Sequence, residues 1–195
     1  METKINQKKK IKPTLTKGVA KVPVVMQLEA LECGAASLTM LMAYYGKWVP
    51  LEEVRLACGV SRDGSNAKNI YLAAQHYGFE VKAMRMTPES LQKKGQFPCI
   101  LHWNMNHFVV LDGFRGKYAC LNDPARGMVK VTMEELTAHD MESEHSGPVG
   151  SAVLYADRSD RHGAERPLYQ PKTPLGHGNY PFPQHRADRS KSAGE

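Results

Sequence analysis

The chain has 195 residues, about the length of one domain, and 42% of them are hydrophobic, which is enough to build one sizeable core. Charged residues make up 24%, an average share that excludes a wholly disordered chain. The net charge of +6 would suit a protein that binds nucleic acid or an anionic membrane. However, residues 1–21 carry that entire excess, whereas residues 22–137 hold twelve bases and eleven acids. We therefore expect no nucleic-acid partner.

The composition divides the chain into three zones. Residues 1–21 are polar and rich in Lys, which predicts a basic flexible arm. Residues 22–156 have the composition of a globular domain. Apolar residues are sparse over residues 157–195, where Pro, His, Arg and Gly accumulate. This segment is expected to be a disordered or non-native tail.

No segment indicates membrane insertion, secretion or a metal centre. No run approaches the ~20 apolar residues that a bilayer-spanning helix needs, and no apolar stretch with a cleavage site follows the lysines. We therefore expect a cytoplasmic chain without direct membrane insertion. Five histidines after residue 138 have spacings that match no metal site, so we expect neither a metal nor another cofactor. The cysteines contain no Cys-x-x-Cys pair, which argues against a zinc ribbon or a dithiol redox centre: Cys33, Cys58, Cys99 and Cys120.

In chain order, the patterns predict helices first and antiparallel strands afterwards. A helix is expected over residues 33–45, which are rich in Ala, Leu and Met and are followed by a Gly. Two more are expected over residues 50–58, which begin with Pro, and residues 66–77, which Ser65 can cap. Short helices should begin after Thr residues at positions 87 and 132. Apolar or alternating runs predict strands at residues 79–86, 98–103, 107–112, 117–121 and 129–131. This order predicts an α+β fold.

Cys33 is the candidate nucleophile. It lies at the expected start of the first helix, where unpaired amides and the helix dipole favour a negatively charged sulfur. Gly34 would allow a substrate backbone to approach closely. The side-chain amide of Gln27 could lie beside the Cys33 N–H and give an oxyanion two donors. A lone Cys in such a helix is more often a small core residue, so the assignment depends on a base elsewhere in the chain.

A predicted hairpin supplies that base. If residues 114–116 form a three-residue loop, Gly113 pairs with Lys117, and the same register places His107 opposite Asp123. A carboxylate at this position would hold the imidazole in one tautomer and stabilise the imidazolium. The other ring nitrogen could then take the proton of a thiol.

Each of these residues has a plainer interpretation when it is considered alone. His107 would more often be a hydrogen-bonded histidine at a strand end, and Asp123, which precedes a Pro, would more often start a turn. Their joint order with Cys33 is much less expected by chance. A Cys at a helix start followed by a His and an Asp is the papain-type order of catalytic residues.

Three motifs carry a resemblance to a known family. Residues 23–36 (PVVMQLEALECGAA), 107–111 (HFVVL) and 122–124 (NDP) closely resemble the cytosolic peptidase domain of bacteriocin-exporting ABC transporters, the double-glycine leader peptidases. The neighbourhood of the Cys looks most like exporters of lanthipeptide-type products. The resemblance implies a papain-like fold in which an N-terminal helical part packs on an antiparallel sheet. It also implies a cysteine endopeptidase that cuts a ribosomal precursor peptide after a Gly-Gly or Gly-Ala leader end.

The resemblance assigns roles to four residues. It makes Cys33 the nucleophile, His107 the base and acid, Asp123 the orienting group and Gln27 the oxyanion donor. The leader of the precursor should bind as an amphipathic helix in an apolar groove away from the thiol. A narrow cleft near the thiol would explain the need for Gly or Ala, and three residues just before the His are candidates to line it: Trp103, Asn104 and Asn106.

The chain also departs from the family pattern. Such transporters continue into membrane-spanning helices and an ATPase, which are the expected partners, and ATP would bind only in that ATPase. The family's last strand is not matched after residue 137, and only residues 149–155 (VGSAVLY) could replace it; we expect a foreign or shifted sequence there. The alternative function is a catalytically silent domain of the same fold that binds leader peptides. Acyl transfer by a papain-like site also stays open at this point.

Overall fold

The computed structural model describes residues 13–62, 64–103, 106–141 and 151–157, which all lie within one compact unit. Asn104 lies outside the described residues, as do nearly all of the expected tail and residues 1–12 of the expected arm. The described residues form one short 3-10 helix, five α-helices and six strands. In chain order these are the 3-10 helix Ala30–Glu32, α1 Cys33–Tyr44, α2 Leu51–Ala57, α3 Ala67–His76, β1 Glu80–Met86, α4 Pro88–Lys94, β2 Cys99–Trp103, β3 His107–Arg115, β4 Tyr118–Asp123, β5 Gly127–Thr132, α5 Met133–Met141 and β6 Ser151–Asp157.

Helix α1 is the centre of the helical half. All twelve of its residues are buried, as expected of a helix that is apolar on every side. The helix ends at Tyr44, and Gly46, two residues later, has a φ of 84°, which suits a residue just past a C-terminus. Helix α3 is capped by the side chain of Asn66, which accepts from the N–H of Asn69 at 2.9 Å, and not by Ser65 as the sequence suggested.

The strands form an antiparallel sheet in the order β1-β6-β2-β3-β4-β5 among the described residues. Strand β6 overlaps residues 149–155, the only segment that the sequence prediction named as a possible replacement for the family's last strand. It pairs with β1 along its whole length and with β2 on its other side. The segment therefore completes the interior of the sheet and does not lie at an edge.

Two apolar clusters cover the two faces of this sheet. Ile100, Phe108 and Val110 pack with α1 and α3 on one face. The residues that alternate with them, such as Leu101 and Val109, pack with α4 and α5 on the other face. This alternation on strands buried from both sides gives three layers, with helices outside and the sheet between them, and it confirms the predicted α+β class.

The N-terminal segment differs from the expected flexible arm. Leu15 forms two backbone hydrogen bonds with Phe97, at 2.7 and 2.6 Å, and Ala20 N–H donates to the carbonyl of Asp112 at 2.7 Å. Gly113 makes this approach possible, because a Cβ added there would lie 2.0 Å from the Gly18 carbonyl oxygen. Residues 13–21 therefore pack against the domain, and the domain begins earlier than composition suggested.

Candidate active site

Cys33 is the first residue of α1 and follows directly from the 3-10 helix. The residue is 7% exposed and belongs to the apolar cluster between α1 and the sheet. Burial alone would raise the pKa of the thiol. Hydrogen bonds with His107 and with the backbone of Phe108 and Gly34 oppose that effect, so that the pKa lies below its ordinary value. The contribution of the Gly34 backbone fits the N-terminus of a helix, where amides lack partners within the helix.

His107 and Asp123 lie at neighbouring strand ends. His107 is the first residue of β3 and Asp123 the last residue of β4, and the imidazole Nε2 lies 2.9 Å from Asp123 Oδ1. Since Nε2 is occupied in this way, Nδ1 is the ring nitrogen left for the thiol. The hydrogen bond to Cys33 raises the pKa of His107 most strongly, burial opposes it, and the bond to Asp123 raises it further.

The register that led to this pair was wrong in detail. Arg115 pairs with Tyr118, so the loop of the hairpin has two residues and not three. The expected pairing of Gly113 with Lys117 does not occur, because Gly113 pairs with Cys120. A bulge between Leu111 and Gly113 shifts the ladder once more. A Gly inside a strand can mark a bulge, but the sequence prediction assigned Gly113 to the connection of the hairpin and not to the strand.

The imidazole still reaches the carboxylate despite this shift. Beyond the bulge, Val110 faces Asn122, so that continuing the ladder places Asp123 opposite Val109. His107 is two residues from Val109 and is therefore a diagonal neighbour of Asp123. Diagonal neighbours are within reach of long side chains, and a two-residue shift keeps both on the same face.

Asp123 is 1% exposed and has three donors around its carboxylate. Burial would raise its pKa, but the bonds from His107, from Arg126 Nε at 2.7 Å and from the N–H of Ala125 at 2.8 Å hold the pKa below its ordinary value. Arg126 was not among the residues predicted for the site. Its position three residues after the Asp, within a turn, is the signal that could have identified it.

The three residues together form a hydrogen-bonded chain that runs from a thiol through an imidazole to a carboxylate. A lowered thiol pKa and a raised imidazole pKa both favour transfer of the proton from Cys33 to His107 before any substrate arrives. The charge on Asp123 favours the same state. This arrangement can attack a carbonyl carbon and return the proton to a leaving amine.

The structure brings Gln27 close to the same group of residues. Its N–H donates to the carbonyl of Pro124 at 2.9 Å, directly after Asp123. Its side-chain Oε1 is buried and has no hydrogen-bond partner among the described residues. The amide group of the side chain is therefore turned towards the protein and not towards solvent.

Gly34 has a different role from the one expected. A Cβ added to it would lie 2.3 Å from Ser65 Oγ and 2.8 Å from Ile70 Cδ1. The open side of this glycine is therefore filled by the chain itself, and the need for glycine arises from packing behind the nucleophile. The expectation that it leaves room for a substrate backbone is not supported.

The candidate cleft residues have different environments. Trp103 faces His107 across β2 and β3, and its side chain is buried in the cluster on the α4 and α5 side. Asn106 is exposed, and its N–H donates to the Trp103 carbonyl at 3.3 Å, which closes the turn just before the histidine. Of these two, only Asn106 offers its side chain to solvent beside the site.

The described part of the chain shows neither a metal cluster nor a membrane-spanning helix. Within residues 13–62, 64–103, 106–141 and 151–157, no group of three or more His, Cys, Asp or Glu could hold a metal ion. No helix in this described part is long and apolar enough to cross a membrane. The five C-terminal histidines lie beyond the described side chains.

A Cys at the start of a central helix, with a His and an Asp on the facing sheet, defines a papain-like cysteine peptidase domain. The sequence profile of the Peptidase C39 family matches residues 21–140, and the chain belongs to that family. Membership confirms the predicted family and the prediction of a cysteine peptidase.

Comparison with known proteins gives the same class. The colicin V secretion/processing ATP-binding protein CvaB of Escherichia coli is 34% identical over 119 residues, which are 61% of this chain and 17% of CvaB. The lactococcin-G-processing and transport ATP-binding protein LagD of Lactococcus lactis is 27% identical over 119 residues, which are 58% of this chain and 17% of LagD. The chain thus spans about a sixth of the length of these relatives.

Solved structures extend the similarity to the fold. A double-glycine-motif protease from an AMS/PCAT transporter, in complex with the leader peptide, is 59% identical with a TM-score of 0.67, covering 73% of this chain and 96% of that one. The peptidase domain of Streptococcus ComA matches with a TM-score of 0.62 at 19% identity, covering 70% of this chain and 98% of that one, and supports the papain-like fold alone.

Proposed function

We propose that this chain is a cysteine endopeptidase that removes the leader from a ribosomally made bacteriocin or lanthipeptide precursor by cutting after a Gly-Gly-type motif. The observation that carries the proposal is the hydrogen-bonded chain from Cys33 through His107 to Asp123. A silent leader-binding domain would not need a thiol with a lowered pKa beside an imidazole with a raised one.

Acylation starts from the Cys33 thiolate. The sulfur attacks the carbonyl carbon of the last leader residue, and the carbonyl electrons move onto its oxygen. The Cys33 N–H and the side-chain amide of Gln27 stabilise that oxyanion. As the intermediate collapses, His107 gives its proton to the leaving amine, and the core peptide departs with a new N-terminus.

Deacylation uses the same residues in the opposite sense. Neutral His107 takes a proton from water, the hydroxide attacks the thioester, and the leader leaves with a free carboxylate. Sulfur departs as thiolate and His107 is again protonated. Asp123 holds the ring in place through both steps and stabilises its charge. The chemistry needs no metal and no other cofactor.

Substrate selection has two parts in this proposal. A narrow passage near the thiol admits only small side chains, and Asn106, whose side chain is exposed just before His107, is its candidate lining. The leader, as an amphipathic helix, binds an apolar surface away from the thiol. The solved relative from an AMS/PCAT transporter, which contains a leader peptide, supports a leader partner for this chain.

The relatives also suggest where the domain works. Both curated relatives are secretion or transport ATP-binding proteins, which supports membrane-spanning and ATPase domains as partners of this domain. Cleavage would then be coupled to export, and the domain would lie on the cytoplasmic side, where the precursor is made.

A cleavage assay on a pool of synthetic precursor peptides with Gly-Gly or Gly-Ala junctions tests this function. The full chain should release fragments whose masses place the cut after the doublet. Cys33→Ala should abolish cleavage and leave thermal unfolding nearly unchanged, because it removes a single sulfur atom and Ala is favourable in a helix. The matched control, Cys58→Ala, removes a buried thiol whose pKa is shifted by burial alone, and it should keep activity. Persistent cutting by Cys33→Ala would refute the proposal.

A further inference from the structure

Glu32 is a buried acid directly before the nucleophile, and the proposed mechanism gives it no role. Its side chain is 3% exposed. One carboxylate oxygen, Oε2, accepts from the N–H of Leu28 at 2.9 Å and from the N–H of Glu29 at 3.0 Å. The other, Oε1, lies 3.1 Å from Arg55 of α2. Buried carboxylates are rare unless they are paired, and this one is paired on both sides.

The two backbone donors make this contact relevant to Gln27. The N–H of Leu28 belongs to the peptide group that joins Gln27 to Leu28. The N–H of Gln27 itself donates to the Pro124 carbonyl. The peptide groups on both sides of the Gln27 Cα are therefore held, one by the turn after Asp123 and the other by Glu32. With the backbone of Gln27 fixed in this way, only its side-chain torsions are free, and this limits the positions that its side-chain amide can take.

We propose that Glu32, braced by Arg55, is a positioning residue that fixes Gln27 for its role as oxyanion donor beside Cys33. The inference rests on the proposed function. Its physical basis is that an oxyanion donor contributes most when its place is fixed before the reaction, so that no reorganisation is needed in the transition state. Glu32, which directly precedes Cys33 in the chain, thus fixes the backbone of the proposed oxyanion donor Gln27 relative to the nucleophile.

The test measures kcat, KM and alkylation of Cys33 in Glu32 variants, using a synthetic precursor peptide with a Gly-Gly junction. Glu32→Ala leaves two N–H groups without their acceptor, so kcat should fall about 100-fold to 1000-fold, the loss seen when one oxyanion donor is removed. KM should change little, and iodoacetamide should alkylate Cys33 at the wild-type rate, because the partners of the thiol are intact.

Glu32→Gln keeps one acceptor oxygen and loses the ion pair, so kcat should fall less, by about tenfold. The matched control is Glu29→Gln, which removes the same charge from a 61%-exposed partner of the same Arg55; it should stay within about twofold of wild type. Should Glu32→Ala fail to fold, Glu32→Gln carries the test.

A double-mutant cycle with Gln27→Ala separates positioning from general stability. If Glu32 acts through Gln27, adding either Glu32 change to Gln27→Ala should cause little further loss of kcat. Multiplicative losses, or full kcat in folded Glu32 variants, overturn the inference and leave the proposed function standing. If the wild-type chain cuts no Gly-Gly peptide, the proposed function fails and this inference with it.

Discussion

Buried cysteines in two regions of this protein have opposite acidities. Cys58 and Cys99 lie in apolar cores, and burial raises the pKa of both thiols, that of Cys58 to about 12. Cys33 is buried as well, but its bonds to His107 and to backbone groups lower its pKa. Burial disfavours the thiolate at all three cysteines, and only hydrogen-bond and charge partners such as those of Cys33 can lower the thiol pKa despite it.

The carboxyl groups repeat this contrast. Asp123 is surrounded by donors, and its pKa is held below the ordinary value. Asp112 is 4% exposed and its Oδ1 has no hydrogen-bond partner among the described residues, so burial raises its pKa to about 8. The donors around Asp123 thus favour its charged form, whereas the burial of Asp112 favours its protonated form at neutral pH.

The largest effect should follow from removing the partner of the nucleophile. In His107→Ala, burial of Cys33 remains but the bond and charge that lower its pKa are lost. The thiol pKa should rise, and kcat should fall by at least about 1000-fold, since base and acid are both missing. Alkylation by iodoacetamide at pH 7, located by mass, should slow at Cys33.

Cys58 is the internal control in the same samples. It should react slowly in wild type and in His107→Ala alike, because its pKa of about 12 leaves little thiolate at pH 7. Equal alkylation of Cys33 and Cys58 in the wild-type protein would contradict the comparison on which this prediction depends.

A smaller effect is expected from Asp123→Asn. The amide oxygen can still accept from His107, but the charge that raises the pKa of the imidazole is gone. His107 should then lose its proton at lower pH, so the alkaline limb of the pH–rate profile should move to lower pH. The maximal rate should fall about 100-fold, less than the ~10⁴-fold loss in a triad where the ring takes the wrong tautomer.

Arg126→Gln provides the control for that change. Arg126 is 61% exposed, and its loss leaves the Asp123 charge and the bond to His107 in place. The rate should remain within about threefold of wild type. An unmoved alkaline limb in Asp123→Asn would show that the carboxylate does not set the pKa of His107.

The sequence alone was enough to predict the elements that carry the site. Helix α1 was predictable because thirteen consecutive small or apolar residues end before Gly46, and the β3–β4 hairpin because two apolar runs flank a short Gly-rich segment. The predicted proximity of His107 and Asp123 is correct although the predicted strand register is wrong. Near these residues the register differs by two positions, and a shift by an even number keeps each side chain on the same face of the sheet.

Long-range contacts account for what the sequence did not show. Residues 13–21 pair with Phe97 and Asp112, and no local pattern marks such isolated bridges. Glu32 was overlooked because an acid before a Cys indicates nothing until the N–H groups of Leu28 and Glu29 are seen to point at it. Strand β6 is separated from its partners β1 and β2 by many residues, so its place inside the sheet could not be assigned.

The smallest effect on activity should come from Asp112→Asn, which should change stability instead. With a pKa of about 8 in the folded protein against 3.8 ordinarily, Asp112 holds a proton in the folded state between those values, where the unfolded chain has released it. Stability from this group should therefore decrease as pH rises from about 4 to 8. The free energy of unfolding, measured by urea titration at pH 5, 7 and 9, should fall less steeply with pH in Asp112→Asn than in the wild-type protein. Glu52→Gln, which removes an exposed acid, should keep the wild-type slope, and equal slopes in all three proteins would show that Asp112 is charged in the folded protein.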